Sequence, residues 1–481
     1  MKRLNCDVLV VGSGPGGATT AAMYAQFGKD VLLVEEGRNL SVDSSEDHSL
    51  EQMDEKWRSG GVTAALGSPK VTYIEGRCVG GASESNAGLY HPPLPDGLNQ
   101  WATDFQIEDF GADELAPHLD AVVQDIGVSK RPFEYSPASQ ALAQGSESMG
   151  WRWAEIERFW KYSQREDGGW NGHRRSMSET LIPKAIAAGC RLQADTRVER
   201  LIRRGDRALA AVAFVRRPDG SEERVRIDFE RVVICAGAVQ TPRLLRKSGW
   251  VHNIGNSLTM NPMIRIVARF PDRVNVPSYG VPVVQIEEFK PTMTIGCSYS
   301  APPHLAMWLE GSADEVRRKL EDWHNLAVFY VKVCGRGRGS VRTMPVFGDS
   351  LVRYKTHADD FTHLGEGLFR LASALFAAGA TEVHSPLPGM PHLKDTSQVE
   401  QLRSVLTPKN SSLSAIHLHS TVPMGENPDR CAADSHGRLY GAQNVAVNDS
   451  SLLPTSPGVN PQGTILAIAR RNMLRNMDAD T

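Results

Sequence analysis

A mixed α/β fold is predicted by three features of this 481-residue sequence: one domain on a parallel sheet, and a second on a mostly antiparallel sheet with flanking helices. Residues 8–34 read as a strand–helix–strand unit punctuated by glycines. Residues 195–235 read as a meander of alternating strands with a PDGS turn, ending in a buried apolar run. Residues 263–342 hold further strand-like stretches (MIRIVARF, VPVVQIEEF, TMTIGCSYS and NLAVFYVKV), and an amphipathic helix ending at Gly379 follows them.

In the first unit, residues 8–11 (VLVV) suit a strand buried on both faces. Gly12, Gly14 and Gly17 then give G-x-G-x-x-G. A helix pattern runs over 18–27 until Gly28 stops it. Residues 31–34 form the second strand, and Glu35 stands at its end. Each part has a physical role in a Rossmann-like dinucleotide cradle. Gly12 makes the tight turn, Gly14 lets a pyrophosphate approach the backbone, and Gly17 lets helix and strand pack closely. The helix N-terminus offers free N–H groups to phosphates. Glu35 can accept hydrogen bonds from ribose hydroxyls. This fingerprint serves FAD and NAD alike. A second glycine cluster, EGRCVGGASESNAGLYHPP, reads either as a surface loop or as a second clamp on an extended cofactor. It carries Arg77, Gly80, Gly81, Ser83 and Asn86; its glycines permit close backbone approach, and Arg77 could offset phosphate charge.

Composition bounds the rest. The hydrophobic fraction of 41%, the charged fraction of 23% and the net charge of −3 are those of a soluble globular protein and point away from nucleic acid. The seven cysteines are scattered with no C-x-x-C, which argues against a disulfide framework, a zinc ribbon or an iron–sulfur site and suits the cytoplasm. Basic residues precede the first apolar run as in a weak leader, but Asp7 interrupts it and glycines end it, so it is read as a strand. No apolar stretch reaches the roughly 18 residues of a membrane span.

Farther along, Val198 lies in the first strand of the meander, and Gly237 lets the chain pass close to a cofactor or helix. Thr241 is placed to cap a helix opening with Pro242. Residues 105–133 have helix and loop character. Residues 151–170, rich in tryptophan and charge, read as packing over a domain interface or as an access loop.

Four stretches resemble the glucose–methanol–choline (GMC) family of flavin oxidoreductases, and they are spread over nearly the whole chain. They are the glycine fingerprint; GRCVGGASESN, with Ala82 in place of the family's first Ser; VVICAGAVQTPRLLRKSG; and the run from 417 to 472 that includes VNDSSLLPTSPGVNPQGTILAIARRN. The resemblance implies non-covalent FAD, because Ser85 stands where some members carry a flavin-linking histidine. It implies a cofactor domain from 1–95, 175–262 and 420–481, and a substrate domain from 96–174 and 263–419. It also puts Val198 by the adenine and Asp449 on the ribityl chain; the alternative for Asp449 is a turn acid.

The segment HLHSTVPMGE carries two histidines at i and i+2, suited to binding a metal, taking a proton or filling space. In the family, H-x-x-x-T-x-x-M-G places its first histidine at the flavin; here His417, Thr421, Met424 and Gly425 fill the motif. His417 is therefore the expected base that takes the hydroxyl proton while hydride moves to the flavin. His419 shares the face or packs; no carboxylate has ligand spacing to it, so no metal is expected. Asn460 reads either as a helix N-cap before Pro461 or as a holder of the substrate oxygen beside His417. The helix from Pro461, with Gln462 and Thr464, would turn its positive end toward the flavin's pyrimidine edge. His91 reads as structural.

The expected reaction is oxidation of a small-molecule alcohol to an aldehyde or ketone, with O₂ or a quinone- or dye-like compound as electron acceptor. The alternatives are a GMC-fold lyase or decarboxylase that uses FAD without net alcohol oxidation, an NAD-dependent Rossmann enzyme, and a flavin-binding protein without turnover.

Overall fold

The valine-rich N-terminal strand, Lys2–Val11, becomes the centre of a seven-stranded sheet in the computed structural model, which describes residues 1–47, 49–344, 350–387 and 392–478. It pairs in parallel with Val31–Val34 on one side and with Glu222–Ile234 on the other. Arg191–Gln193 extends the sheet beyond Val31–Val34, and Val445–Val447 runs parallel to the end of Glu222–Ile234. The expected meander completes it: Thr196–Arg204, Arg207–Arg216 and Glu222–Ile234 pair antiparallel in turn. The turn at Pro218 closes as read, with Gly220 at φ +83° and Asp219 Oδ1 accepting from the Ser221 N–H at 2.9 Å.

Alternation along these strands explains why they are apolar throughout. Leu9, Val11, Leu32, Val34, Val232 and Ile234 pack on one face with Leu244 and Leu245. Val8, Val10, Val31, Leu33 and Val233 pack on the other with Ala18, Ala21, Ala22 and Leu466. Helices cover both faces, so period-2 polarity has no place to appear.

The second sheet has ten strands and is antiparallel at all but one pairing. Its middle is Met263–Arg269, Leu326–Val333 and Met293–Cys297, close to where strands were expected. The long helix Ala358–Ala377 covers one face through Leu364, Leu368 and Leu371. Gly367 makes this approach possible, since a Cβ there would lie 2.3 Å from Val331 Cγ1. On the opposite face, Val267 and Val328 are covered by Leu305 and Leu309, while the other end of that face is left to a cavity.

Several pieces sit elsewhere than their sequence position suggested. Strands Thr63–Ala65 and Val71–Tyr73, within the 1–95 expected in the cofactor domain, join the antiparallel sheet through Leu413–Ala415. Helices Pro95–Phe105 and Ala112–Ile126, expected with the substrate domain, bury Leu98, Trp101, Leu115 and Val122 in the cores of the parallel sheet. Strand and helix patterns fix period and length, not which sheet receives the apolar face. In the tryptophan-rich stretch, Trp153–Glu155 forms a sheet edge, and Trp160 Nε1 donates to the Ala87 carbonyl at 3.3 Å; among the described residues none of 151–170 lines the cavity.

The helix expected to open at Pro242 instead runs Gly237–Lys247, with Pro242 inside it. Proline has no N–H, so the carbonyl of Ala238 loses its helical partner. Thr421 Oγ1 donates to that carbonyl at 2.8 Å. Thr241 does not cap the helix at Pro242; it accepts from the Ala236 N–H at 3.0 Å and donates to Asp449 Oδ2 at 2.5 Å. Thr421 is fully buried, so Thr421→Val strands a carbonyl away from water. It should lower the unfolding free energy by about 1–3 kcal/mol in denaturant titration; an unchanged midpoint would show that this bond is dispensable.

Candidate active site

The first glycine loop is built by close approach. Gly12 has φ +98°, and a Cβ on it would sit 2.4 Å from the Cys235 carbonyl oxygen. A Cβ on Gly17 would lie 1.8 Å from the Gly12 oxygen, so helix Pro15–Gln26 packs directly onto the turn. Gly14 differs: its added Cβ would meet nothing within 4 Å, and the residue lines a cavity of about 440 Å³. The helix has no side-chain cap, which leaves its first-turn N–H groups for an anion.

Glu35 is buried beside this loop. It accepts from the Ser13 N–H (3.0 Å), Ser13 Oγ (2.8 Å) and the Gly37 N–H (2.9 Å). Burial raises its pKa, and the hydrogen bonds from Gly37 and Ser13 oppose that shift. Ser13 Oγ also accepts from the Gly80 N–H at 3.0 Å, which ties the two glycine loops together.

In the second loop, Gly81 lies against the first: a Cβ on it would be 2.9 Å from Gly14 Cα. Gly80 (φ +92°) does not line the cavity; it makes the turn and holds Ser13. Ser83 and Asn86 do line it. Ser83 Oγ donates to the Gly80 carbonyl at 2.7 Å, and Asn86 Nδ2 donates to Gln462 Oε1 at 2.6 Å, joining this loop to the C-terminal helix Gln462–Asp478. Arg77 is a correction to the sequence reading. It pairs with Glu36 at 3.2 Å and is not among the cavity-lining residues, because that carboxylate competes for it. Arg58 pairs with the same Glu36 at 2.7 Å and does line the cavity.

Val198, Gly237 and Asp449 line the same cavity. Gly237, at φ +82°, would put a Cβ into open space. Asp449 is more occupied than expected. Its Oδ2 accepts from the Gly237 N–H (2.8 Å) and Thr241, and its Oδ1 from the Ser451 N–H (2.8 Å) and hydroxyl (2.5 Å). It therefore ties the helix start at Gly237 to the C-terminal segment, with burial raising its pKa against those donors.

The far end of the cavity holds His417, Asn460, Pro461 and Gln462. His417 Nδ1 is enclosed without a partner among the described residues, which leaves Nε2 as the nitrogen open to the cavity. Burial, and then the charges of Lys332, His419 and His91, holds its pKa well below the ordinary value. Asn460 Oδ1 accepts from Lys332 Nζ at 3.2 Å. The first bond of the C-terminal helix runs from the Ile465 N–H to the Pro461 carbonyl at 2.8 Å, so helical bonding begins after Asn460 and its side chain serves the cavity.

The two histidines separate. Their ring centroids are 6.4 Å apart, but His419 is fully buried, does not line the cavity, and has both ring nitrogens without partners among the described residues. Its backbone pairs with Thr259, and Ser420 at φ +68° ends the strand after Leu418–His419, so the i, i+2 rule does not carry over. Burial, then Lys332, lowers its pKa to about 3. His91 is buried at Gln285, 3.1 Å from its Oε1.

Sequence reasoning missed Lys332, Arg265, Tyr330 and His304, all of which line the cavity. One signal was available for Lys332: a lone cation inside the otherwise apolar NLAVFYVKV. A wider surface cleft of about 1220 Å³, which includes Arg338, Tyr354 and Phe361, holds none of the motif residues. Among the described residues, no group of three or more His, Cys, Asp or Glu side chains is placed to hold a metal ion, and no helix is long and apolar enough to cross a membrane.

Residues 53–263 and 340–469 match the N- and C-terminal parts of GMC oxidoreductase, and residues 10–67 match an NAD(P)-binding Rossmann-like domain. An uncharacterised GMC-type oxidoreductase of Sinorhizobium fredii is 36% identical over 98% of this chain and 94% of its own. A long-chain-alcohol oxidase of Arabidopsis thaliana is 24% identical over 97% of this chain and 67% of its own. The crystal structure of pyridoxine 4-oxidase from Mesorbium loti superposes with a TM-score of 0.73 at 19% identity, covering 98% of this chain and 99% of that one.

His419 offers a test of the buried pair. Unfolded, its pKa is near 6.5; folded, about 3, so between these values the unfolded state binds more protons. Its contribution is fully present above pH 6.5 and is lost as the pH falls toward 3. Replacing it by leucine should flatten the stability–pH slope by about 1.4 kcal/mol per pH unit within that window. Denaturant midpoints measured across the window check this, and an unaltered slope would mean that His419 is protonated in the native state.

Proposed function

This chain belongs to the GMC oxidoreductase family, and on that footing we propose that it is an FAD-dependent enzyme oxidising the CH–OH group of a small-molecule alcohol to an aldehyde or ketone. One observation carries the reading: a single cavity joins the glycine cradle to His417 and Asn460. The residues fit the cofactor. Gly14 and Gly237 are open where a Cβ would intrude on it, the N-terminus of helix Pro15–Gln26 suits a pyrophosphate, and Glu35 suits a ribose. FAD bound there would supply the acceptor for the carbinol hydride, with O₂ or a quinone- or dye-like compound as the final electron acceptor.

The protein's own part is proton handling and position. His417 is kept neutral by burial and by the neighbouring Lys332 charge, so Nε2 is ready to take the hydroxyl proton. Lys332 engages Asn460 Oδ1, which turns the amide Nδ2 toward the substrate oxygen. The C-terminal helix directs its positive end to the same region. Ser85 lines the cavity in the second glycine loop, where some family members carry a flavin-linking histidine, and this supports a dissociable cofactor. The seven free thiols, all but Cys334 buried, suit the reducing cytoplasm.

Two measurements test this. Anaerobic mixing with a substrate alcohol should bleach the oxidised flavin band, and His417→Ala should slow the bleaching by about 10²–10⁴-fold while the flavin stays bound. A substrate consumed without bleaching would favour a lyase or decarboxylase, and a mild His417→Ala beside a crippling His419→Ala would move the base. Acid precipitation should leave all yellow colour in the supernatant; colour in the pellet would refute dissociable FAD.

A further inference from the structure

One end of the cavity is walled by four side chains from two paired strands. Met263 lies opposite Lys332, and Arg265 opposite Tyr330, and all four face the cavity. Two of them are basic: burial lowers the Arg265 pKa only to about 10, so it stays charged, while burial and then the charge of Lys290 pull Lys332 down to about 7. Lys332 is 2% exposed and bonds Asn460 Oδ1. Arg265 Nη1 donates to Ser414 Oγ at 2.8 Å, and its guanidinium carbon lies 4.8 Å from the Trp308 ring centroid.

Neither forms an ion pair with a carboxylate among the described residues; the charge of Glu287 acts on Lys332 from farther off, and none is recorded acting on Arg265. The carboxylates that line the cavity are Glu35, Glu36, Glu75 and Asp449. Each is engaged at the cofactor end: Glu35 by Ser13 and Gly37, Glu36 and Glu75 by Arg58, and Asp449 by Gly237, Thr241 and Ser451. Holding the Arg265 guanidinium in a protein wall without counter-charge is unfavourable, and an anion that enters the cavity offsets the cost. Tyr330 is equipped for the same ligand: its oxygen accepts from Gln285 Nε2 at 2.7 Å, which leaves its hydroxyl hydrogen to donate.

Resting on the alcohol-oxidising reading above, we propose that the substrate is a hydroxy acid. Arg265 holds its carboxylate, with Tyr330 donating to it, while the carbinol stands at His417 and Asn460. Arg265 lies two residues along its strand from Met263, the partner of Lys332, an offset of about 7 Å. The two groups of the substrate therefore sit at opposite ends of a short chain or ring rather than on adjacent carbons.

The test uses the FAD-loaded enzyme with para-(hydroxymethyl)benzoate and its neutral counterpart para-methylbenzyl alcohol, and with para-toluate as an anion that lacks a carbinol. The acid should be preferred over the alcohol in kcat/KM. Arg265→Met should reduce that preference on the order of 10- to 100-fold, and Arg265→Lys should retain part of it. Calorimetry on the wild type should detect para-toluate, competitive with the acid substrate. Equal kcat/KM for acid and alcohol, a preference indifferent to Arg265→Met, or no binding of para-toluate would each overturn the proposal. Arg265-dependent binding of para-toluate without oxidation of either compound would instead uphold the anion site and sink the alcohol-oxidising reading.

Discussion

The bond from the Gly80 N–H to Ser13 Oγ, continued from Ser13 to Glu35, is the contact on which the architecture of the site turns. It brings two glycine loops, far apart in sequence, to within a Cβ's width of each other at Gly14 and Gly81. Asn86 then links the second loop to Gln462, and Asp449 links Gly237 to the C-terminal segment. Four stretches of chain thereby enclose one cavity, and backbone atoms rather than side chains form much of its cofactor end. Glycine is required there because close approach, not rigidity alone, is the demand.

Charge divides this cavity in two. Carboxylates gather at the cofactor end and are met by N–H groups, hydroxyls and Arg58. Basic groups gather on the antiparallel sheet, where the hydrogen-bond partners of Lys332 and Arg265 among the described residues are neutral. The strand that carries Lys332 shows how this is arranged. Phe329, Val331 and Val333 pack on the helix side, while Tyr330 and Lys332 face the cavity. The polarity of that pocket follows from a simple alternation, with helix Ala358–Ala377 on one side and open space on the other.

Much of the fold was legible in the sequence because it rests on local signals. The three glycines, the VLVV and VLLV strands, the PDGS turn and the helix ending before Gly379 each declare themselves within a few residues. The location of the candidate site was legible where backbone shape sets it, as at Gly12, Gly14 and Gly17, and where a motif extends over many positions, as at His417, which lines the same cavity. It was not legible where a second partner decides the outcome. Arg77 looks like a phosphate ligand until Glu36 is seen to hold it, and Thr241 looks like a cap until the helix is found to begin at Gly237.

The sequence by itself determined the mixed α/β class, the dinucleotide cradle and the neighbourhood of the candidate base, since these depend on period, spacing and conformational freedom along the chain. Only the tertiary structure decided that His417 faces the cavity while His419 is sealed behind it, that strands 63–65 and 71–73 join the antiparallel sheet, and that Lys332 bonds Asn460. The physical reason is that burial, pairing and electrostatic environment are properties of what comes together in space, and residues distant in sequence carry no local mark of one another.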